Sequence, residues 1–137
     1  MNKHTIRKHI KEKRLKLKSN EVKLISDKVI NQLVKTFDFR GKLTNLFLPI
    51  DEFNEINLYP LIENITLVGG KICVNKSDFL NILITPYFYT EKDQIEINSK
   101  GIPEPLFGEV VNITDIDFVI VPLMAFNSEG YRVGYGK

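Results

Sequence analysis

Residues 118–121 read Phe-Val-Ile-Val and are closed by Pro122. This uninterrupted, β-branched run does not alternate with polar residues. Such a run suits a strand buried on both faces of a parallel sheet. The rest of the chain supplies what a parallel sheet needs. Val22, Ile25, Val29 and Leu33 recur at spacings of three, four and four, which predicts a helix over residues 20–35 with one apolar face. Ser19 reads as its N-cap, with Glu21 in the first turn. Ile6, Ile10 and Leu17 predict an amphipathic helix over 4–18. After Gly41 the period changes. Residues 43–48 read as a strand ended by Pro49, residues 71–74 as a second, and residues 81–89 as a third that Pro86 breaks or confines to an edge. Between them Asn57 can cap a short helix over 58–65, and Gly69-Gly70 makes a turn. Residues 101–105, Gly-Ile-Pro-Glu-Pro, read as an irregular loop. Strands alternating with helices predict one α/β domain over 1–137, in three layers, with a mostly parallel sheet flanked by helices.

Charge narrows the function classes. The chain of 137 residues has a net charge of +2, yet residues 1–28 alone carry +7 and the remainder −5. A basic arm on a mildly acidic body suits an anionic partner, whether nucleic acid, a membrane surface or the phosphates of a small ligand; a solvated helix face is the plainer alternative. Aromatic residues interleaved with the cations would favour nucleic acid, and residues 1–28 contain none. A nucleic-acid module would bind with steep salt dependence. No apolar run reaches the roughly 18–20 residues of a membrane span, and no apolar segment follows the basic start as in a secretory signal. The single cysteine, Cys73, has no internal disulfide partner and suits a reducing, cytoplasmic setting.

Three groups could carry chemistry. Lys3 and Arg7 stand four residues apart, so on a helix they share a face and can clamp a polyphosphate. Arg132, Gly134, Tyr135, Gly136 and Lys137 follow the 118–121 strand. Ligands of open α/β sheets sit beyond strand carboxyl ends, and the two glycines would let backbone N–H groups approach a phosphate. A glycine-rich hairpin turn is the structural alternative. The Walker pattern is absent. Glu55, just past the first strand, could accept hydrogen bonds from a donor-rich ring, or be an ordinary loop acid. His4 and His9 have no companion ligands in sequence, and no nucleophile–base arrangement or metal motif is present.

Together these pieces resemble the 5-formyltetrahydrofolate cyclo-ligase family. The resemblance is carried by Lys3-x-x-x-Arg7 with Arg14 and Leu17-Lys18-Ser19, by Phe47-Leu48-Pro49 followed by Glu55-Ile56-Asn57, by Gly101-Ile102-Pro103-Glu104-Pro105, and by Asp117 to Pro122 with Gly130-Tyr131-Arg132-Val133-Gly134-Tyr135-Gly136-Lys137. Asn75-Lys76 departs from a Pro-Arg pair common at that place. The resemblance implies ATP-dependent closure of 5-formyltetrahydrofolate to 5,10-methenyltetrahydrofolate, with Mg²⁺ beside the nucleotide. It implies ATP contacts from Lys3, Arg7, Arg132, Gly134, Tyr135, Gly136 and Lys137, and folate contacts from Ile50 and Glu55. It implies no protein nucleophile, no nucleic-acid partner and no membrane partner. The sequence given is expected to stop inside the family's nucleotide-binding loop, before a G-F/Y-Y-D-R continuation.

Overall fold

The computed structural model describes residues 2–135. Helix α1 spans Lys3–Leu15, capped by Asn2, whose Oδ1 accepts the Thr5 N–H at 2.9 Å. Its last turn holds Lys13 and Arg14, cations placed where the helix dipole is negative. It stops short of the predicted residue 18 because the Lys16 and Leu17 N–H groups turn back onto the Lys13 and Arg14 carbonyls, tightening the end. Helix α2 (Ser19–Thr36) starts one residue earlier than its sequence signal. The Glu21 carboxylate accepts the Lys18 N–H at 2.7 Å, which makes Lys18 the cap and Ser19 the first helical residue.

Strand β1 (Leu43–Leu46) is buried at all four positions. Helix α3 (Tyr59–Leu67) follows, with Pro60 in its first turn and Asn57 Oδ1 accepting the Tyr59 N–H at 3.1 Å. Strands β2 (Lys71–Asp78) and β3 (Leu83–Phe88) form an antiparallel pair. Two short strands, β4 (Ile95–Ile97) and β5 (Pro103–Pro105), make a separate antiparallel ribbon. Strand β6 (Phe118–Val119) joins the main sheet, and β7 (Ala125–Phe126) pairs with β8 (Arg132–Val133) as a hairpin. The main sheet runs β3-β2-β1-β6, with β1 parallel to both neighbours. The outcome is the predicted class, a mixed α/β fold with a mostly parallel central sheet flanked by helices.

Helices α2 and α3 pack on the sheet face that carries Leu46, Ile72 and Val74; Ile30, Leu61 and Ile65 close this core. Phe37, Phe39 and Phe118 extend it as an edge-to-face aromatic cluster, with centroids 5.4–6.5 Å apart. On the opposite face Leu43 and Cys73 are buried with Val111. No helix among the described residues is long and apolar enough to cross a membrane.

Two expectations need correction. The 118–121 run is not buried on both faces: Phe118 and Ile120 are half-buried toward the helices, whereas Val119 and Val121 are exposed. Among the described residues β6 pairs only with β1, so it is an edge. The 101–105 segment is not wholly irregular, because Pro103, Glu104 and Pro105 pair with Ile97, Glu96 and Ile95. Its prolines are tolerated because the ribbon has only two strands, each with a free edge. The Pro86 reading holds, since β3 is the outer strand. Its carbonyl faces away from β2 and accepts the Val111 N–H at 2.8 Å.

Gly70 fixes how α3 turns into β2. A Cβ there would lie 2.6 Å from both Ile65 Cγ2 and the Phe39 carbonyl oxygen. Gly70→Ala is therefore expected to destabilise the fold by about 1–3 kcal/mol, read as a lowered denaturant midpoint with an unchanged slope.

Candidate functional site

The carboxyl ends of β1 and β6, helix α1 and the β7–β8 hairpin converge at one end of the sheet. Beyond β1 a short 3₁₀ turn, Asp51–Phe53, leads into Asn54, which adopts a left-handed conformation at φ 48°. That conformation lets the Asn54 side chain turn back on α1: its Nδ2 donates to the carbonyls of Arg14 at 2.9 Å and Leu17 at 3.0 Å. The amide thereby gives the Arg14 carbonyl, which already accepts the Leu17 N–H, a second donor and also holds the Leu17 carbonyl just past the helix end. Lys11 Nζ sits 4.9 Å from the Phe53 ring centroid, a second hold on the same turn. From the other side Arg7 Nε donates to the Gly134 carbonyl at 2.8 Å, and Arg14 Nη1 donates to the Tyr135 hydroxyl at 2.7 Å.

Two cavities result. The first, about 370 Å³, is walled by His4, Arg7, Lys8, Lys11 and Arg14 of α1 over a floor of Phe53, Met124 and Tyr135. The walls are mostly the aliphatic stems of these side chains, so the cavity is an apolar trough bordered by four basic residues, an arrangement that suits an extended anion with a flat or apolar portion. The second, about 310 Å³, is lined mainly by apolar groups, among them Phe47, Leu58, Ile120 and Phe126, with Glu55 as its carboxylate. Glu55 is 8% exposed, and one of its oxygens accepts the Ile50 N–H at 2.8 Å. Arg14 and Tyr135 line both cavities. Burial pushes the Tyr135 hydroxyl above its ordinary pKa; Arg14 pulls it down and the nearby Glu55 carboxylate pushes it up again. The hydroxyl is thus a neutral bridge between a cation and an anion.

The structure brings together Arg7, Gly134, Tyr135 and Glu55. The space beside the Gly134 α-carbon is open, with no atom within 4 Å of an added Cβ. Lys3 lies in the first turn of α1, exposed and outside the lining of the first cavity. Arg132 is exposed on β8, opposite Phe126. Ile50 contacts Glu55 through its backbone, while its side chain lines a different cavity of about 600 Å³ with Tyr59, Tyr89 and Lys92. Gly136 and Lys137 lie outside the described residues. Sequence reasoning assigned nothing to His4, Lys8, Lys11 or Asn54, and left Arg14 without a role. The spacing 4, 7/8, 11, 14 was the available signal, since it marks one helical face. Nothing local to Asn54 reveals that its amide reaches back some forty residues.

Fold and cavities together define an α/β protein with a cleft bordered by basic residues and an adjoining pocket that holds a carboxylate, at the carboxyl ends of parallel strands. A sequence profile of the 5-formyltetrahydrofolate cyclo-ligase family matches residues 1–137. The chain is 30% identical over 138 residues to the 5-formyltetrahydrofolate cyclo-ligase of Mycoplasma genitalium, covering all of this chain and 73% of that protein. Its structure superimposes on the NMR structure of 5,10-methenyltetrahydrofolate synthetase from Aquifex aeolicus with a TM-score of 0.83 at 35% identity, covering 100% of this chain and 69% of that one. The synthetase of Mycoplasma pneumoniae shares the fold, with a TM-score of 0.69 at 23% identity over 99% of this chain and 73% of that one. The chain belongs to the 5-formyltetrahydrofolate cyclo-ligase family.

Asn54→Gly keeps access to the left-handed conformation and deletes both amide bonds to α1. The expected cost is about 1–2 kcal/mol, measured by chemical denaturation. An unchanged midpoint would mean that water replaces the amide without loss.

Proposed function

We propose that this protein closes 5-formyltetrahydrofolate to 5,10-methenyltetrahydrofolate at the expense of ATP, releasing ADP and phosphate, within one α/β domain. The observation that carries the reading is the pair of cavities sharing Arg14 and Tyr135: one is bordered by the basic residues of α1, the other holds the buried Glu55 carboxylate. A reaction that moves a phosphoryl group onto a folate needs these two environments side by side. The family relationship supplies the substrates' identity, through relatives named for this chemistry.

The chemistry needs positioning and charge neutralisation more than a protein nucleophile. A formamide oxygen does not leave on its own. Once phosphorylated, it departs as phosphate when N10 attacks the formyl carbon. Arg7 is the cation best placed for the nucleotide phosphates, since its Nε is occupied by Gly134 and its position is fixed. Lys3, Arg132, Gly134, Tyr135, Gly136 and Lys137 complete the proposed nucleotide contacts. Glu55 would accept hydrogen bonds from the pterin, with Ile50 as an apolar neighbour held by the Glu55 carboxylate. The described residues do not gather a donor set for Mg²⁺: no group of three or more His, Cys, Asp or Glu side chains could hold a metal. Magnesium would accordingly enter on the nucleotide's own phosphates, and its chemistry there is charge neutralisation. The buried Cys73 thiol, whose pKa is raised by burial, fits a reducing cytoplasmic setting.

The direct test is methenyl product absorbance with 5-formyltetrahydrofolate and ATP; absence of ATP-dependent product would overturn the reading. Two variants separate the sites. Arg7→Ala is expected to weaken ATP binding about tenfold or more, with folate affinity nearly intact. Glu55→Gln, which retains an oxygen for the Ile50 N–H, is expected to weaken folate binding about tenfold or more and leave ATP within twofold. Titration calorimetry with each ligand reads both, and equal damage to both ligands would indicate a folding role instead.

A further inference from the structure

Arg14 and Tyr135 are the two residues that line both cavities, and Arg14 supplies the only cation of the pair. Its surroundings hold it in place and leave donors spare. The guanidinium lies over the Tyr135 ring, 5.4 Å from the centroid, and Nη1 donates to the hydroxyl of the same residue. Its backbone is pinned through the Asn54 amide. Its Nε is buried and has no hydrogen-bond partner. The Nε is closed off by its neighbours and Nη1 is taken by Tyr135, so what Arg14 can offer a ligand is the rest of its guanidinium edge, at the wall that the two cavities share. Glu55, on the folate side, faces the same Tyr135 hydroxyl, so the cation stands at the boundary between the two substrates.

We propose that Arg14 is a catalytic residue of the ring closure, contacting the phosphoryl group as it passes from the nucleotide to the formyl oxygen. The inference rests on the function proposed above. In the first step the formyl oxygen forms a bond to the γ-phosphorus, the bond from that phosphorus to the β,γ-bridging oxygen breaks, and ADP leaves with the electron pair. In the second step N10 bonds to the formyl carbon and the carbon–oxygen bond breaks. The departing phosphate takes that electron pair and, in the end, the N10 proton. Through both steps negative charge is spread over the equatorial oxygens of one migrating group. A guanidinium at the boundary follows it from donor to acceptor and stays protonated throughout. Arg14 would therefore act on turnover more than on the binding of either substrate alone.

The test is steady-state kinetics of Arg14→Ala and Arg14→Lys with both substrates varied, alongside binding of each ligand. For Arg14→Ala, kcat is expected to fall about a hundredfold or more, with the affinities for ATP and 5-formyltetrahydrofolate within about threefold of wild type. Arg14→Lys keeps a charge without the fork and should lose less, on the order of tenfold. Millimolar guanidinium should restore part of the Arg14→Ala rate. A merely structural role, through stacking on Tyr135, would lower the melting temperature and give no such rescue. If Arg14→Ala does not fold, Arg14→Lys and Arg14→Gln, which keeps much of the stem and removes the charge, carry the same comparison of kcat with affinity. Wild-type kcat in the variants, or lost affinity at unchanged kcat, would overturn this inference while leaving the proposed reaction standing. A wild-type protein that makes no methenyl product would overturn both.

Discussion

Strand β1 is hydrogen-bonded along both edges and buried on both faces, and the geometry of the site follows from that. Its register is pinned at the start. The Asp117 carboxylate accepts the Leu43 N–H at 2.8 Å and lies 3.5 Å from Lys42 Nζ, while the Leu43 carbonyl accepts the Asp117 N–H. A slip of one residue would turn Leu46 away from α2 and α3 and bring Asn45 into the apolar core. At its far end the strand delivers Phe47, Leu48 and Pro49 to the rim, and the turn that carries Asn54 and Glu55 begins there. The cavity end of the molecule is thus placed by backbone pairing at the opposite end of the strand, with an ion pair at its edge contributing little by comparison.

What the sequence made legible was whatever has a period. The α2 face, the strand at 43 and the edge position of Pro86 all follow from residues within one element. What it did not make legible depends on which elements become neighbours. The 118–121 run carries the composition of an interior strand, yet half of it is exposed because β6 pairs on one side only among the described residues. Strand β5 was missed because two prolines in three residues obscure a pairing that needs only one edge.

The site divides in the same way. Arg7, Glu55, Gly134 and Tyr135 were reached from sequence because motif spacing and strand ends announce them. Ile50 was chosen for its place after a strand. Its backbone does meet Glu55, but its side chain faces another cavity, since the residues between them make a turn instead of extended chain. Lys3 and Lys11 look alike in sequence. They differ in structure because only the face at 4, 7, 8, 11 and 14 meets the β7–β8 hairpin and the 51–54 turn.

Asn54 grips α1, and Glu55 is the next residue along the chain. No flexible segment separates the helix that walls one cavity from the carboxylate that furnishes the other. A displacement of α1 would reach Glu55 through one amide contact and a single peptide unit. Any coupling between the two cavities would be reciprocal, each ligand altering the affinity for the other by the same factor.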